Sequence, residues 1–171
     1  MRKGGGRAKG SGFERMVART VIEAFKEFGI RKEDCYRTPL SGGHRAARKK
    51  DPGDLVISKK LLKYFPFSVE CKFYKKLYLP ALWMPQKQWK KNWNFGPWLK
   101  QTCKACGSNR MPLLIFKGNG TPTFAALPRL APLMLGVRPV LTFRYESEDW
   151  CVILFNRLLR RLRNHARQKN V

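Results

Sequence analysis

Acidic residues are scarce in this chain of 171 residues: 11 Asp and Glu stand against 36 Lys and Arg, leaving a formal charge of +25. The excess is spread over nearly the whole length and is not confined to a tail. Such a surface needs a polyanionic partner. Nucleic acid suits it best, because each phosphate neutralised by Lys or Arg releases condensed counterions and gives strong, salt-sensitive, largely sequence-independent affinity. An acidic membrane surface suits it less well. Long apolar runs are also missing. No stretch reaches the roughly 18 residues of a spanning helix, and the start MRKGGGRAKGSG lacks the apolar core of a signal peptide. The expectation is therefore a cytoplasmic protein with no membrane partner. Histidine is limited to His44 and His165, neither beside an acid/base partner, and neither a Ser/His/Asp arrangement nor a P-loop is visible. The five cysteines are odd in number and irregularly spaced, which fits reduced thiols. Cys103 and Cys106 offer two thiolates where a structural zinc wants four ligands, so zinc is not expected.

What is present is enough for one core. A 43% hydrophobic content over this length suits a single domain and is too little for two. Residues 1–10 are mostly glycine and basic residues and read as a flexible cationic arm, with the folded domain over 11–171. Ser11 and Glu14 have capping-box spacing, and Val17, Val21, Ala24, Phe25 and Phe28 recur at helical intervals up to Gly29. A short strand around Cys35 to Thr38 precedes a basic loop, in which five of the seven residues from His44 to Lys50 are His, Arg or Lys. Asp54 to Ser58 and Phe67 to Tyr74 read as antiparallel neighbours at the centre of a sheet. Pro85 suits a first helical position among Trp83, Trp89, Trp93 and Trp98, and Gly96-Pro97 reads as a break before a helix that ends at Gly107. Strands are expected over Met111 to Lys117 and Thr123 to Leu127, as a hairpin around Gly118-Asn119-Gly120, and over Val140 to Tyr145 and Trp150 to Phe155. A final basic helix runs over about 156–169, capped by Asn156. The fold class is α/β: a mixed central sheet flanked by helices.

The chemistry rests on Asp54, Glu70 and Lys72. Alternation along a strand puts Glu70 and Lys72 on one face and Val69, Cys71 and Phe73 on the other. Asp54 opens the neighbouring strand just after Pro52-Gly53, where a hairpin can bring its carboxylate beside Glu70. Two close carboxylates repel unless something positive lies between them. Hard oxygen ligands of this kind suit Mg²⁺ or Mn²⁺, one or two per site, and no small-molecule cofactor is implied. Such a metal can lower the pKa of an attacking water and neutralise a scissile phosphate, with Lys72 orienting the water or the phosphate. The bland alternative is a surface Glu and Lys in cross-strand pairing. Apolar runs around both carboxylates, in a chain so poor in acid, favour catalysis.

Pro52-Gly53-Asp54 followed by Glu70-Cys71-Lys72 resembles the PD-(D/E)XK nuclease superfamily, with Gly53 as a minor departure. Within it, the first half is similar to archaeal-type Holliday junction resolvases. The similar pieces are a Gly and Lys-rich start, Gly12-Phe13-Glu14-Arg15, Arg37-Thr38-Pro39-Leu40-Ser41-Gly42, GDLVI and VECK, and later Gln101 in a helix followed by MPLLIFK. The Trp-rich segment 83–98 and the long cationic C-terminus depart from it. The resemblance implies a restriction-endonuclease-like core and a homodimer cutting branched DNA, the four-way junction above all. It further implies that Glu14 is a metal- or water-binding carboxylate and that Arg15, Arg37 and Ser41 contact phosphate near the cut, Ser41 within the catalytic set. On the bland reading Glu14 is only a capping-box residue and Ser41 a turn residue. Arg7 and Lys9 of the arm and His44, Arg45, Arg48, Lys49 and Lys50 of the basic loop are the further nucleic-acid-binding candidates. Trp89 and Trp93 can stack on unpaired bases, though core or dimer packing suits them better. The C-terminal NRLLRRLRNHARQKN reads as a docked helix with DNA-facing arginines sooner than as a membrane-surface helix. Two rivals stand beside junction resolution: a nuclease of the same superfamily acting on other DNA (flap, single-stranded or sequence-specific), and a basic nucleic-acid-binding protein without catalysis.

Overall fold

Apolar residues alternate along the strands so that both faces of a sheet are covered. In the computed structural model this sheet has five strands, and residues 5–39, 53–75, 77, 95–106, 109–130 and 136–169 are described, with side chains from Gly10 onward. The strands are β3 (Phe67–Tyr74), β4 (Met111–Gly118), β5 (Phe124–Pro128), β6 (Leu141–Tyr145) and β7 (Glu148–Leu154), in the order β3-β4-β5-β7-β6. Helix α1 (Gly5–Phe25) and helix α4 (Phe155–Lys169) cover one face, and helix α3 (Phe95–Ala105) covers the other.

The period of two decides which face each side chain joins. Leu113, Ile115, Ala125, Leu127, Cys151 and Ile153 pack toward α1 and α4, with Val17, Val21, Phe25, Leu158 and Leu162. Leu114, Phe116, Phe124, Ala126, Trp150 and Val152 pack toward α3, with Phe95, Trp98 and Leu99. Each fully buried Leu, Ile, Val or Phe contributes about 1.5–3 kcal/mol. The hairpin between β4 and β5 is antiparallel as expected, with Gly120 at φ +68°, as is the pair β6 and β7. The mixed α/β class with helices on both faces of a central sheet is therefore the observed one.

The surroundings of β3 differ from the expectation. Strand β2 (Leu55–Ile57) does not join the ladder of β3; it pairs antiparallel with β1 (Cys35–Arg37) in a separate two-stranded sheet. Between β2 and β3 lies a short helix α2 (Lys59–Leu62), started by Ser58, whose side chain accepts from the Leu61 N–H. That turn of helix carries the chain away from a hairpin. Strand β3 instead pairs parallel with β4 across the α3 crossover, and so stands at the edge of the large sheet and not at its centre.

Two helix starts also move. Helix α1 begins at Gly5, inside the segment 1–10 expected as an arm, because each residue added to a formed helix gains a hydrogen bond without a new nucleation cost. Ser11 thus lies within the helix and is no N-cap, which removes the capping-box reading of Glu14. Helix α3 begins at Phe95 and contains Gly96 and Pro97 in its first turn, where the N–H that proline lacks has no helical partner anyway. The basic loop, Pro85, Trp83, Trp89 and Trp93 lie outside the described residues. Among the described residues, no helix is long and apolar enough to cross a membrane.

Candidate active site

The outer edge of β3 brings together Asp54 and Glu70. Gly53 takes φ +99°, a left-handed conformation open to glycine, and a Cβ there would lie 2.4 Å from the Val69 carbonyl oxygen. This close approach lets the Asp54 N–H donate to Val69 O at 2.7 Å. On the other side, the Thr38 N–H donates to Asp54 O at 2.9 Å and its hydroxyl donates to Gly53 O at 3.1 Å. Asp54 is therefore clamped by its backbone between β1 and β3. Its Oδ2 accepts from the Cys71 N–H at 2.8 Å, in place of a partner strand.

Glu70 projects from β3 toward α3. Its Oε1 accepts from the Lys72 ammonium at 2.5 Å and also from the Gln101 amide on α3. The remaining oxygens, Asp54 Oδ1 and Glu70 Oε2, make no hydrogen bond among the described residues. Both carboxylates are buried, Asp54 8% and Glu70 3% exposed. Burial first, then the Glu70 charge, push the Asp54 carboxyl up to about 7, against the opposing pull of the Cys71 N–H and Lys72. Burial and the same carboxylates hold the Cys71 thiol well above its usual range, so it stays a neutral core group and not a nucleophile.

Glu14 reaches this region from α1, and its charge adds to the upward push on Asp54. It also pairs with Arg37 of β1, whose Nε donates to Glu14 Oε2 at 2.5 Å. The structure thus brings Asp54, Glu70, Lys72, Glu14 and Arg37 to one edge. Arg15 is exposed on α1. Arg7 and Lys9 lie within α1, with side chains outside the description, and Ser41, His44, Arg45, Arg48, Lys49 and Lys50 lie outside the described residues. Among the described residues, no group of three His, Cys, Asp or Glu is disposed to hold a metal ion.

Three contributors carry little signal in the sequence. Gln101 reads there only as a helical residue, although a polar side chain one turn from the buried Trp98 faces the same sheet surface as Glu70. Gly53 was a departure from a motif, and is what lets Asp54 reach β3. Thr38 carries no sequence signal for its clamp.

Comparison with curated proteins and with solved structures gives no match. The family described as "Phage putative PDDEXK endonuclease" matches residues 5–137. That span holds Glu14, Arg37, Asp54, Glu70, Lys72 and Gln101, and it covers well over half of the sequence. The chain belongs to this phage PDDEXK endonuclease family.

Proposed function

We propose that the chain is a divalent-metal-dependent, structure-selective DNA endonuclease that resolves four-way junctions by paired, symmetric hydrolysis of phosphodiesters. The observation that carries this reading is the edge of β3. There, two buried carboxylates each tie one oxygen to a protein donor, with the Lys72 ammonium alongside. A carboxyl held at about 7 by burial and a like charge takes up a proton readily, and a divalent cation answers the same need. Asp54 Oδ1 and Glu70 Oε2 would hold Mg²⁺ or Mn²⁺, with Glu14 a third ligand once exchanged from Arg37, and one or two ions per site fit the reading. When bound, the ion supplies charge neutralisation at the phosphate and a more acidic water.

The chain's own residues do the positioning. Gln101 and Lys72 fix the Glu70 carboxylate, and the Cys71 N–H fixes that of Asp54. Lys72 also presents its ammonium to the attacked phosphate, where water adds in line, one P–O ester bond breaks, and the leaving oxygen gains a proton. Arg37 and Arg15, with Ser41 and the basic loop, hold the backbone near the cut. Shape is read through phosphates, and two symmetric incisions call for two identical sites, hence a homodimer. The charge of +25 supports a DNA substrate.

Labelled four-way junction, flap and linear duplex, each incubated with Mg²⁺ or with EDTA, test the reading. Paired symmetric nicks confined to the junction and dependent on Mg²⁺ are expected. Cutting of flaps or duplex instead moves the activity to other DNA, and binding without cleavage under any metal removes the enzyme. Asp54→Asn and Glu70→Gln should abolish cutting while junction binding persists.

A further inference from the structure

The family match ends at residue 137, and the chain beyond it builds β6, β7 and α4. Helix α4 holds six Arg or Lys and no Asp or Glu. Its apolar side is taken up by the core: Phe155, Leu158, Leu159, Leu162 and Ala166 are all buried, so that side is closed to a lipid surface. Two of its arginines are engaged elsewhere. Arg167 makes paired hydrogen bonds to Glu27 at 2.9 and 2.6 Å, and Arg163 lies 3.9 Å from the same carboxylate, which fastens the helix to the turn Lys26–Phe28 that follows α1.

The opposite side of α4 is different. Arg157, Arg160 and Arg161 are exposed there and make no ion pair or hydrogen bond among the described residues. Four residues of helix rise about 6 Å, so three guanidinium groups share about one turn. In a chain of this charge their mutual repulsion is a cost that no ion pair among the described residues offsets, and a row of phosphates relieves it. Each guanidinium fork matches a phosphate in two-point geometry, which a lysine does not. Helix α1, alongside which α4 packs, adds exposed Arg15 and Arg19 to the basic surface.

We propose that this face of α4 is a second nucleic-acid surface, which grips the phosphate backbone of a duplex away from the catalytic edge. It adds affinity and salt sensitivity and reads no bases, and it does not depend on the nuclease reading, because backbone binding needs neither metal nor cleavage.

The test measures binding of a fluorescent linear duplex by anisotropy, in EDTA, over a range of salt. The triple variant Arg157→Ala, Arg160→Ala, Arg161→Ala is compared with Arg129→Ala, Arg138→Ala, Arg144→Ala, which removes the same charge elsewhere on the surface. The slope of log Kd against log salt should flatten by about 3 in the α4 variant, at close to 0.9 for each phosphate no longer neutralised, and by much less in the control. Equal flattening in both variants would show diffuse attraction by net charge and overturn the proposal. So would an unchanged slope in the α4 variant, or binding to anionic phosphatidylserine vesicles that the α4 variant loses while duplex binding stays. Circular dichroism checks the fold. Should the alanine variant unfold, the same three positions as glutamine give the same comparison.

Discussion

Asp54→Asn should make the protein more stable while removing its activity, and the gain should depend on pH. The Asp54 carboxyl lies at about 7 in the folded chain against its ordinary 3.8, because it is buried and faces Glu70. Between those two pH values the folded chain keeps the proton and the unfolded chain has released it. The contribution to stability is therefore fully present below 3.8 and lost as pH rises through about 7. At about 1.36 kcal/mol per pH unit, the full loss is on the order of 4 kcal/mol. About two thirds of it falls between pH 5 and pH 8. Asparagine keeps an oxygen to accept from the Cys71 N–H and carries no charge, so it escapes this loss. Wild type and variant are compared by thermal melting at pH 5 and pH 8, in EDTA. The variant's advantage should grow by about 2–3 kcal/mol toward pH 8, or roughly 5–10 °C for a domain of this size. Saturating Mg²⁺ at pH 8 should stabilise the wild type and leave the variant unmoved. Cleavage by the wild type should fall as pH drops below about 7, where Asp54 takes its proton. An advantage of the same size at both pH values would refute the argument, since it would mean that Asp54 titrates like an exposed carboxyl.

Three further outcomes follow from the same edge. Gly53→Ala meets both the φ of +99° and the Val69 carbonyl, so it should cost about 1–3 kcal/mol in urea melts from backbone strain alone. It should also lower cleavage by more than the unfolded fraction explains. Gln101→Ala removes one of the two donors to Glu70 Oε1 and should raise the Mg²⁺ concentration for half-maximal cleavage about tenfold, with the rate recovered at high Mg²⁺; an unchanged Mg²⁺ titration would show that Gln101 does not position Glu70. Glu14→Gln and Arg37→Ala, alone and combined, should show a coupling of about 1 kcal/mol by denaturant melts, and a coupling near zero would mean that the pair is not formed in solution.

The helices and most strands were legible because each has a period that a core imposes. The four-residue recurrence of Val17, Val21 and Phe25 survives into the structure, as does the alternation that sets Phe67, Val69, Cys71 and Phe73 against one core. The partner of β3 was not legible. The short link from β2 to β3 suggests a hairpin, yet one turn of helix at Ser58 turns the chain aside and β4 takes the place. Pairing between strands depends on competition among all edges, which a local pattern does not carry. Gln101 was hidden for the same reason, since its meaning depends on which strand α3 crosses.

The sequence by itself determined a basic, acid-poor α/β chain and marked Asp54, Glu70 and Lys72 as the candidate site, because composition and strand alternation are properties of the chain alone. Tertiary structure alone decided three things: that Asp54 reaches Glu70 through Gly53 at a sheet edge, that Glu14 is held by Arg37, and that the arginines of α4 split between Glu27 and solvent. Each rests on distances between segments far apart in the chain, and those are set only when the core closes.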